Sequence, residues 1–437
     1  MKEDRGIAHG VVREDVVLAG LVRPGDEKTV EAPLTELRRL AETAGARVVD
    51  ESVQRKARVS AATFIGKGKA EEIAGRAASF GAGAVLFNND LSPAQVRNLE
   101  KILGRRVVDR SEVILDIFAL RARSREARIQ VELAQYAYLR PRLKRMWTHL
   151  ERMEGGVGGA SVGIGTRGPG EKQLEVDRRL VARRIRDLKD ELGTLERQQQ
   201  TRSRAREGYF RVSLVGYTNA GKSSLLRALT GAEAFVEDRL FATLDTRTRA
   251  WTLGANKRVF LSDTVGFLRD LPHHLVASFR ATLAETMEAD LLLHVVDSAH
   301  PDAEIQRSAV ERVLEEIGAG ALPRVLVLNK ADAVRDRIVL EVLQRGVRDA
   351  IVVSAVSGEG LDRLAALVQR FVERDHEEVD LRVAAGDGRT LAWIAARGRI
   401  LSEDWGDEEV RLRVRLARTD RERLREGEEG LAFVAGR

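Results

Sequence analysis

The chain of 437 residues contains no cysteine. That absence excludes a disulfide framework, a thiolate zinc site, an iron–sulfur cluster and a cysteine nucleophile. No apolar run approaches the roughly 18–20 residues that a membrane-spanning helix needs, and the first thirty residues lack the pattern of a signal peptide. A cytoplasmic location is therefore expected. Internal repeats are absent as well. What is present is a globular composition, 43 % apolar and 32 % charged, in a chain long enough for about three domains of roughly 150 residues each.

The net charge is only +6, but it is unevenly spread. Between Lys101 and Arg211 there are 26 Lys and Arg against 15 Asp and Glu, so this stretch carries an excess of 11 and the remainder a net −5. A basic middle in a near-neutral chain is the footprint of a polyanion partner, or else a solvated helix face in an arginine-rich sequence.

Four stretches follow from the patterning. Residues 1–123 alternate short apolar runs with helical patterns. VVLAGLV (16–22), ARVVDESV, AVLFNND (84–90) and RRVVD read as strands, with helices over 33–45 and 92–104, the second opened by a serine cap and a proline. The alternation predicts an N-terminal α/β domain. Residues 124–208 read as a long helical hairpin, its first helix kinked at Pro141, its arms joined by a glycine-rich loop over 155–170. The second arm carries one apolar stripe of Leu174, Leu180, Val181, Ile185, Leu188, Leu192 and Leu195. Residues 209–374 alternate again, predicting a second α/β domain with a mainly parallel sheet. Residues 375–437 read as a small α+β C-terminal domain without a polar constellation suited to catalysis.

The chemistry lies in the third stretch. Gly216, Tyr217, Thr218, Asn219, Ala220, Gly221, Lys222 and Ser223 form G-x-x-x-x-G-K-S between the strand RVSLV and a helix. In a phosphate loop the glycines let backbone N–H groups point inward, the helix N-terminus adds a favourable dipole, Lys222 reaches the β- and γ-phosphates, and the Ser223 hydroxyl ligates Mg²⁺. Downstream, Asn329, Lys330, Ala331 and Asp332 follow another apolar strand. An aspartate there accepts two hydrogen bonds from guanine N1–H and its exocyclic amine, a donor pair that adenine lacks. Asn329 ties this loop to the phosphate loop, the Lys330 stem lies along the base, and Ser354, Ala355 and Val356 close over it.

Between these motifs, Asp263, Thr264, Val265 and Gly266 end the strand VFLSD. Asp263 suits a water-mediated Mg²⁺ contact and the Gly266 N–H a bond to the γ-phosphate. In the segment Phe241, Ala242, Thr243, Leu244 and Asp245, Thr243 is the expected second hydroxyl ligand of Mg²⁺, with Thr246, Thr248 or a plain surface loop as alternatives. Two hydroxyls, two phosphate oxygens and two waters satisfy octahedral Mg²⁺. Lys222, Thr243 and Gly266 are the residues expected to act on the transferred phosphate.

Together these segments resemble a P-loop GTPase domain of the translation-factor class. LFATLDTRTR, DTVGFLRDLPHHLVASFRATLAET (263–286), MWTHLERMEGG and RGPGEKQLEVDRR are similar to the HflX family of ribosome-associated GTPases within the Obg–HflX superfamily. The resemblance implies hydrolysis of GTP to GDP and phosphate, association with the large (50S) ribosomal subunit, peripheral attachment to ribosomes in the cytoplasm, and splitting or rescue of stalled ribosomes under stress. The glycine-rich loop is longer than in many members. Ribosomal RNA is then the natural polyanion: Arg140, Arg142, Lys144, Arg145 and Arg167 suit its phosphates and Trp147 and Tyr138 its unpaired bases, with helix packing the alternative for both aromatics. Some members are described as also binding ATP through the N-terminal region, where GKGKAEEIA (66–74) lacks a phosphate-loop pattern. In some related GTPases an asparagine at the place of Asn219 helps hold K⁺; shaping the loop is its other reading.

Where Ras-like enzymes carry a water-orienting glutamine after the glycine of this motif, Phe267 stands here. Slow intrinsic hydrolysis, raised by a partner, is expected. His273 and His274, beside Pro272, suit a helix start or a ribosome contact better than base catalysis. The alternative function is a GTPase of ribosome assembly or of another structured RNA; an RNA-binding adaptor and a metabolic kinase fit less well. No exposed heptad demands a dimer, so a monomer is expected.

Overall fold

The computed structural model describes residues 14–24, 31–154, 169–204, 209–231, 240, 241, 243, 247–254, 257–269, 286–374, 376–417, 420, 421, 424, 434 and 435. The N-terminal α/β domain runs β1 (Asp15–Val22), α1 (Thr35–Thr43), β2 (Arg47–Arg55), α2 (Lys67–Ser79), β3 (Ala84–Phe87), α3 (Pro93–Leu103), β4 (Arg106–Val108) and α4 (Arg110–Arg121). Its sheet has the order β2-β1-β3-β4 and is parallel throughout. Ser92 and Gln95 form a reciprocal capping box at the start of α3, and Gly104 ends it in the left-handed region at φ +60°.

Helices α2 and α4 were not singled out by the patterning. Val113, Ile114, Leu115, Ile117 and Phe118 of α4 are buried together with Arg110 and Ser111, while its exposed side includes the apolar Ala119 and Leu120, so polarity does not follow burial along the helix and no amphipathic period shows.

The hairpin pairs α5 (Arg125–Glu154) with α6 (Pro169–Arg204). α5 continues through Pro141, and the arms are linked by Arg125–Glu191 and Arg184–Glu132 ion pairs at 2.6 and 2.9 Å. Of the expected α6 stripe Leu188 is buried, whereas Leu180 is exposed. The loop residues 155–168 lie outside the described residues.

The second sheet has the order β10-β9-β8-β5-β7-β6. It comprises β5 (Arg211–Gly216), β6 (Arg247–Thr252), β7 (Arg258–Asp263), β8 (Leu291–Asp297), β9 (Arg324–Asn329) and β10 (Ala350–Val352), all parallel except the antiparallel edge pair β6–β7. Among the described residues, this domain also contains helices α7 (Lys222–Thr230), α8 (Ala303–Glu316), α9 (Ile338–Gln344) and α10 (Leu361–Arg374). Val212, Leu214, Leu291, Leu293, Val325 and Val327 form its fully buried centre. Such double-sided burial is why these strands read as continuous apolar runs.

The C-terminal domain is an antiparallel sheet of order β12-β13-β11-β14, made of β11 (His376–Ala384), β12 (Arg399–Trp405), β13 (Glu409–Ala417) and β14 (Val434–Ala435), with α11 (Gly388–Arg397). Most of the helix expected over TDRERLREGE lies outside the described residues. No helix of the described residues is long and apolar enough to cross a membrane.

Candidate nucleotide-binding site

Five parallel strands of the second sheet end on one rim, where open α/β sheets bind ligands. β5 delivers Gly216, β7 Asp263, β8 Asp297, β9 Asn329, and the turn after β10 Ser354. Two glycines are required by close approach. At Gly221, φ +90°, an added Cβ would lie 2.3 Å from Asn329 Nδ2; at Gly266 it would lie 2.8 Å from Thr218 Cα.

Lys222 Nζ donates to the carbonyls of Gly216 and Tyr217 at 3.0 and 2.9 Å. Complete burial pushes its pKa down to about 8, opposed by the Asp263 charge. Ser223 Oγ donates to Asp263 Oδ2 at 2.5 Å, Thr243 Oγ1 donates to the same oxygen at 3.0 Å, and the two hydroxyls are 2.8 Å apart. Asp263 Oδ1 is buried without a hydrogen-bond partner among the described residues, and burial raises the carboxyl pKa against the pull of Lys222. A buried carboxylate oxygen left open beside two hydroxyls is a donor set suited to a hard cation such as Mg²⁺. Among the described residues no group of three His, Asp or Glu forms a metal site, so a cation here also needs oxygens from the nucleotide. Thr248, the alternative to Thr243, instead bonds Ser262 Oγ at 2.9 Å. Thr246 lies outside the described residues.

The base end is equally ordered. Asn329 Nδ2 donates to Ala220 O at 2.9 Å while its Oδ1 accepts from Ala355 N at 3.1 Å, tying three loops together. Ser354 Oγ donates to Asp332 Oδ1 at 2.5 Å and accepts from the Ser357 amide, so it aims the carboxylate of Asp332. Lys330, in the left-handed region at φ +62°, pairs with Asp297 at 2.7 Å.

Several expected site residues turn elsewhere. Tyr217 is buried away from the loop's mouth: its hydroxyl donates to Glu36 Oε1 of α1 at 2.5 Å and accepts from the Arg269 amide at 2.8 Å. Phe241, φ +54°, inserts edge-on against Phe118 of α4, ring centroids 4.6 Å apart. Holding a non-glycine residue there costs about 1–3 kcal/mol. Burying the phenyl, worth about 1.5–3 kcal/mol, offsets that cost. Thr264 Oγ1 donates to Leu214 O at 2.7 Å, and Ala220 and Val265 are core residues. Position beside a motif does not reveal which way a side chain points. Val356 is 85 % exposed. Ala242, Leu244, Asp245, His273 and His274 lie outside the described residues.

Phe267 is buried, and its backbone exchanges bonds with Gly216 O and Thr218 N at 3.1 and 2.8 Å. Its side chain therefore offers nothing to a water. Segment 66–74 opens α2, and the Gly66 amide donates to Gln54 Oε1 at 2.8 Å.

Of the expected RNA contacts, Arg140 is exposed. Arg142 is not free: it pairs with buried Asp109 at 2.7 Å, donates to Leu91 O at 3.0 Å, and lies 3.4 Å over the ring of Tyr138. Tyr138 is buried, its hydroxyl donating to Asp109 Oδ1 at 3.0 Å. Both join α5 to the N-terminal domain. The side chains of Lys144, Arg145, Trp147 and Arg167 lie outside the described residues.

Sequence reasoning missed Glu36, Arg110, Phe118 and Arg269. Arg110 pairs with Glu36 at 3.1 Å and donates to Arg269 O at 3.0 Å. Nothing local signals a contact between residues 181 positions apart, as Glu36 and Tyr217 are.

Comparison with known proteins agrees along the chain. Residues 31–119 match the family model "GTP-binding GTPase N-terminal", 121–206 "GTP-binding GTPase Middle Region", 211–330 "50S ribosome-binding GTPase" and 340–428 "HflX C-terminal domain". Among curated relatives, GTPase HflX of Caldanaerobacter subterraneus is 42 % identical, covering 94 % of this chain and 93 % of its own. GTPase HflX of Escherichia coli is 44 % identical over 83 % and 84 %. A GTP-binding protein from Sulfolobus solfataricus, solved in complex with GDP, is 24 % identical with a TM-score of 0.42, covering 81 % of this chain and 98 % of its own.

Proposed function

The chain belongs to the HflX family of GTPases, and on that premise we propose that it is a monomeric, Mg²⁺-dependent, cytoplasmic enzyme that splits or rescues stalled ribosomes under stress. It is a GTP-hydrolysing enzyme with a ribosome-binding GTPase domain. The observation that carries the site reading is the convergence of Ser223 and Thr243 on a buried Asp263 that keeps one oxygen open.

In this reading Ser223 and Thr243 hold Mg²⁺ directly and Asp263 through water. Bound Mg²⁺ neutralises charge on the phosphates. Lys222 gives up its two carbonyl partners to reach the phosphates, and the Gly266 amide bonds the γ-phosphate. Asp332, aimed by Ser354, selects guanine. Phe267 leaves the attacking water without an orienting side chain, which supports slow intrinsic turnover and a partner that completes the site. The basic excess between Lys101 and Arg211 supports ribosomal RNA as that partner, with Arg140 on the exposed face of α5. The domain divisions at 123/124, 208/209 and 374/375 are part of the proposal. At Asn219, exposed at φ +61°, loop shaping is favoured over K⁺ binding, because asparagine tolerates the left-handed region.

The test is GTP turnover by the purified protein, alone and with purified 50S subunits. Strong stimulation is expected. GTP binding without stimulation moves the assignment to ribosome assembly or another structured RNA. Equal rates in K⁺ and Na⁺ buffers are expected if Asn219 only shapes the loop.

A further inference from the structure

Two side chains of the N-terminal domain reach the two segments that must be in place for GTP hydrolysis. Phe118, buried on α4, packs edge-on against Phe241 at 4.6 Å. Thr243, two residues on, meets Ser223 and Asp263 at 2.8 and 3.0 Å. Leu240, beside Phe241, is buried in the same apolar cluster, which joins Leu37, Leu40 and Ile117 to Val215, Val265 and Leu268.

The second connection is polar. Glu36 accepts from Tyr217, a phosphate-loop residue, and pairs with Arg110. Tyr217 Oη and Arg110 Nη2 then take the amide and the carbonyl of Arg269, at 2.8 and 3.0 Å. The chain from Asp263 to Arg269 is thus held at both ends. Gly266 lies midway, where an added Cβ would lie 3.1 Å from Lys222 Nζ.

We propose that Phe118 and Glu36 are positioning residues of the GTPase reaction. Phe118 seats Phe241 so that Thr243 stays on Ser223 and Asp263. Glu36, with Arg110, holds Tyr217 and Arg269 so that Gly266 stays against the phosphate loop. Neither residue touches the nucleotide. A displacement of α1 or α4 therefore changes the hydrolytic site from outside it, and the same two contacts give a partner bound to the N-terminal domain a direct hold on turnover.

The proposal rests on the reading of Thr243 as a metal ligand. The test compares Phe118→Ala, Glu36→Gln and Thr243→Ala in the full-length protein. Two quantities are read: the Mg²⁺ concentration that half-maximally slows release of a fluorescent, non-hydrolysable GTP analogue, and kcat and KM for intrinsic GTP hydrolysis. Far-UV circular dichroism checks the fold, and Phe118→Leu replaces Phe118→Ala if that variant does not fold. Phe118→Ala is expected to raise the Mg²⁺ half-point about tenfold, as loss of an outer support of a ligand does. Its kcat is expected to fall about tenfold to a hundredfold, with KM changed less than kcat. Glu36→Gln, which keeps an acceptor for Tyr217 but loses the charge facing Arg110, is expected to lower kcat by a smaller factor. If Thr243→Ala shifts the Mg²⁺ half-point while folded Phe118 and Glu36 variants match the wild type in both readouts, the positioning proposal is overturned. If Thr243→Ala itself leaves the half-point unchanged, the metal-ligand reading falls, and the proposal with it.

Discussion

Two buried aspartates sit at strand ends, Asp109 just after β4 and Asp263 as the last residue of β7, and their oxygens are treated differently. In the N-terminal domain, Asp109 Oδ1 accepts from the Glu112 amide and the Tyr138 hydroxyl, both at 3.0 Å, and Oδ2 accepts from the Leu91 amide and Arg142 at 3.3 and 2.7 Å. In the GTPase domain, Asp263 Oδ2 takes two hydroxyls and Oδ1 takes nothing among the described residues. A saturated carboxylate is a joint, because the fold has already supplied every partner that burial demands. An unsaturated one at the same depth is built for something that arrives later. The same polar chemistry thus makes a hinge pin in one domain and a binding site in the other.

The contrast is broken most sharply by Asp109→Ala. That change leaves Arg142 without its carboxylate partner, and breaking a buried pair in this way costs about 3–5 kcal/mol. Chemical denaturation is expected to show the loss, while GDP affinity of the native protein stays within about twofold, since Asp109 touches no part of the nucleotide site. Lys222→Ala reverses the pattern. Removing the cation proposed to reach the phosphates is expected to weaken nucleotide binding and turnover by about 10²–10³-fold, read by calorimetric titration with GDP and by phosphate release.

A smaller effect separates the two domains by pH. Burial pushes His294 of β8 down to about 3, well below its ordinary 6.5, so the folded state keeps it neutral while the unfolded chain takes a proton. Its contribution is complete above pH 6.5 and is lost as pH falls towards 3, at up to about 1.4 kcal/mol per pH unit. Asp109 has the opposite sign: burial raises it to about 6 from 3.8, so its contribution is complete below pH 3.8 and lost as pH rises through 6. Denaturation of His294→Leu across pH 5–7 is expected to show a flatter acid slope than wild type. The smallest effect belongs to Thr248→Ala. Its hydroxyl bonds Ser262, so affinity for a non-hydrolysable GTP analogue and its Mg²⁺ dependence are expected to change less than twofold, against a clear loss for Thr243→Ala; equal losses would move the second hydroxyl away from Thr243.

Much of the site was legible because its chemistry is local. The phosphate loop, the DTVGF segment and NKAD are contiguous, and each sits just after a strand whose apolar run announces it. Less legible was the direction of side chains within those same segments. Tyr217, Phe241 and Thr264 lie beside nucleotide motifs in the chain, yet each is turned into a core or onto a neighbouring strand. Arg142 and Tyr138, which suit RNA or helix packing by type alone, both bond Asp109 at the joint between α5 and the N-terminal domain. Helix α4 carries no periodic signal because Arg110 and Ser111 are buried and Leu120 is exposed, against the polarity of each.

What the sequence determined by itself is whatever short-range covalent order controls: glycines where backbones nearly touch, a lysine and a hydroxyl at fixed offsets on a helix start, an aspartate just after an apolar strand, and the alternation of strand and helix. What only the tertiary structure decided is which distant groups meet. Glu36 and Tyr217 are brought together across 181 positions, and Phe118 and Phe241 across a domain boundary. Such contacts leave no periodicity, because they depend on how two separately patterned domains pack, and burial there selects partners by shape and unmet hydrogen bonds rather than by place in the chain.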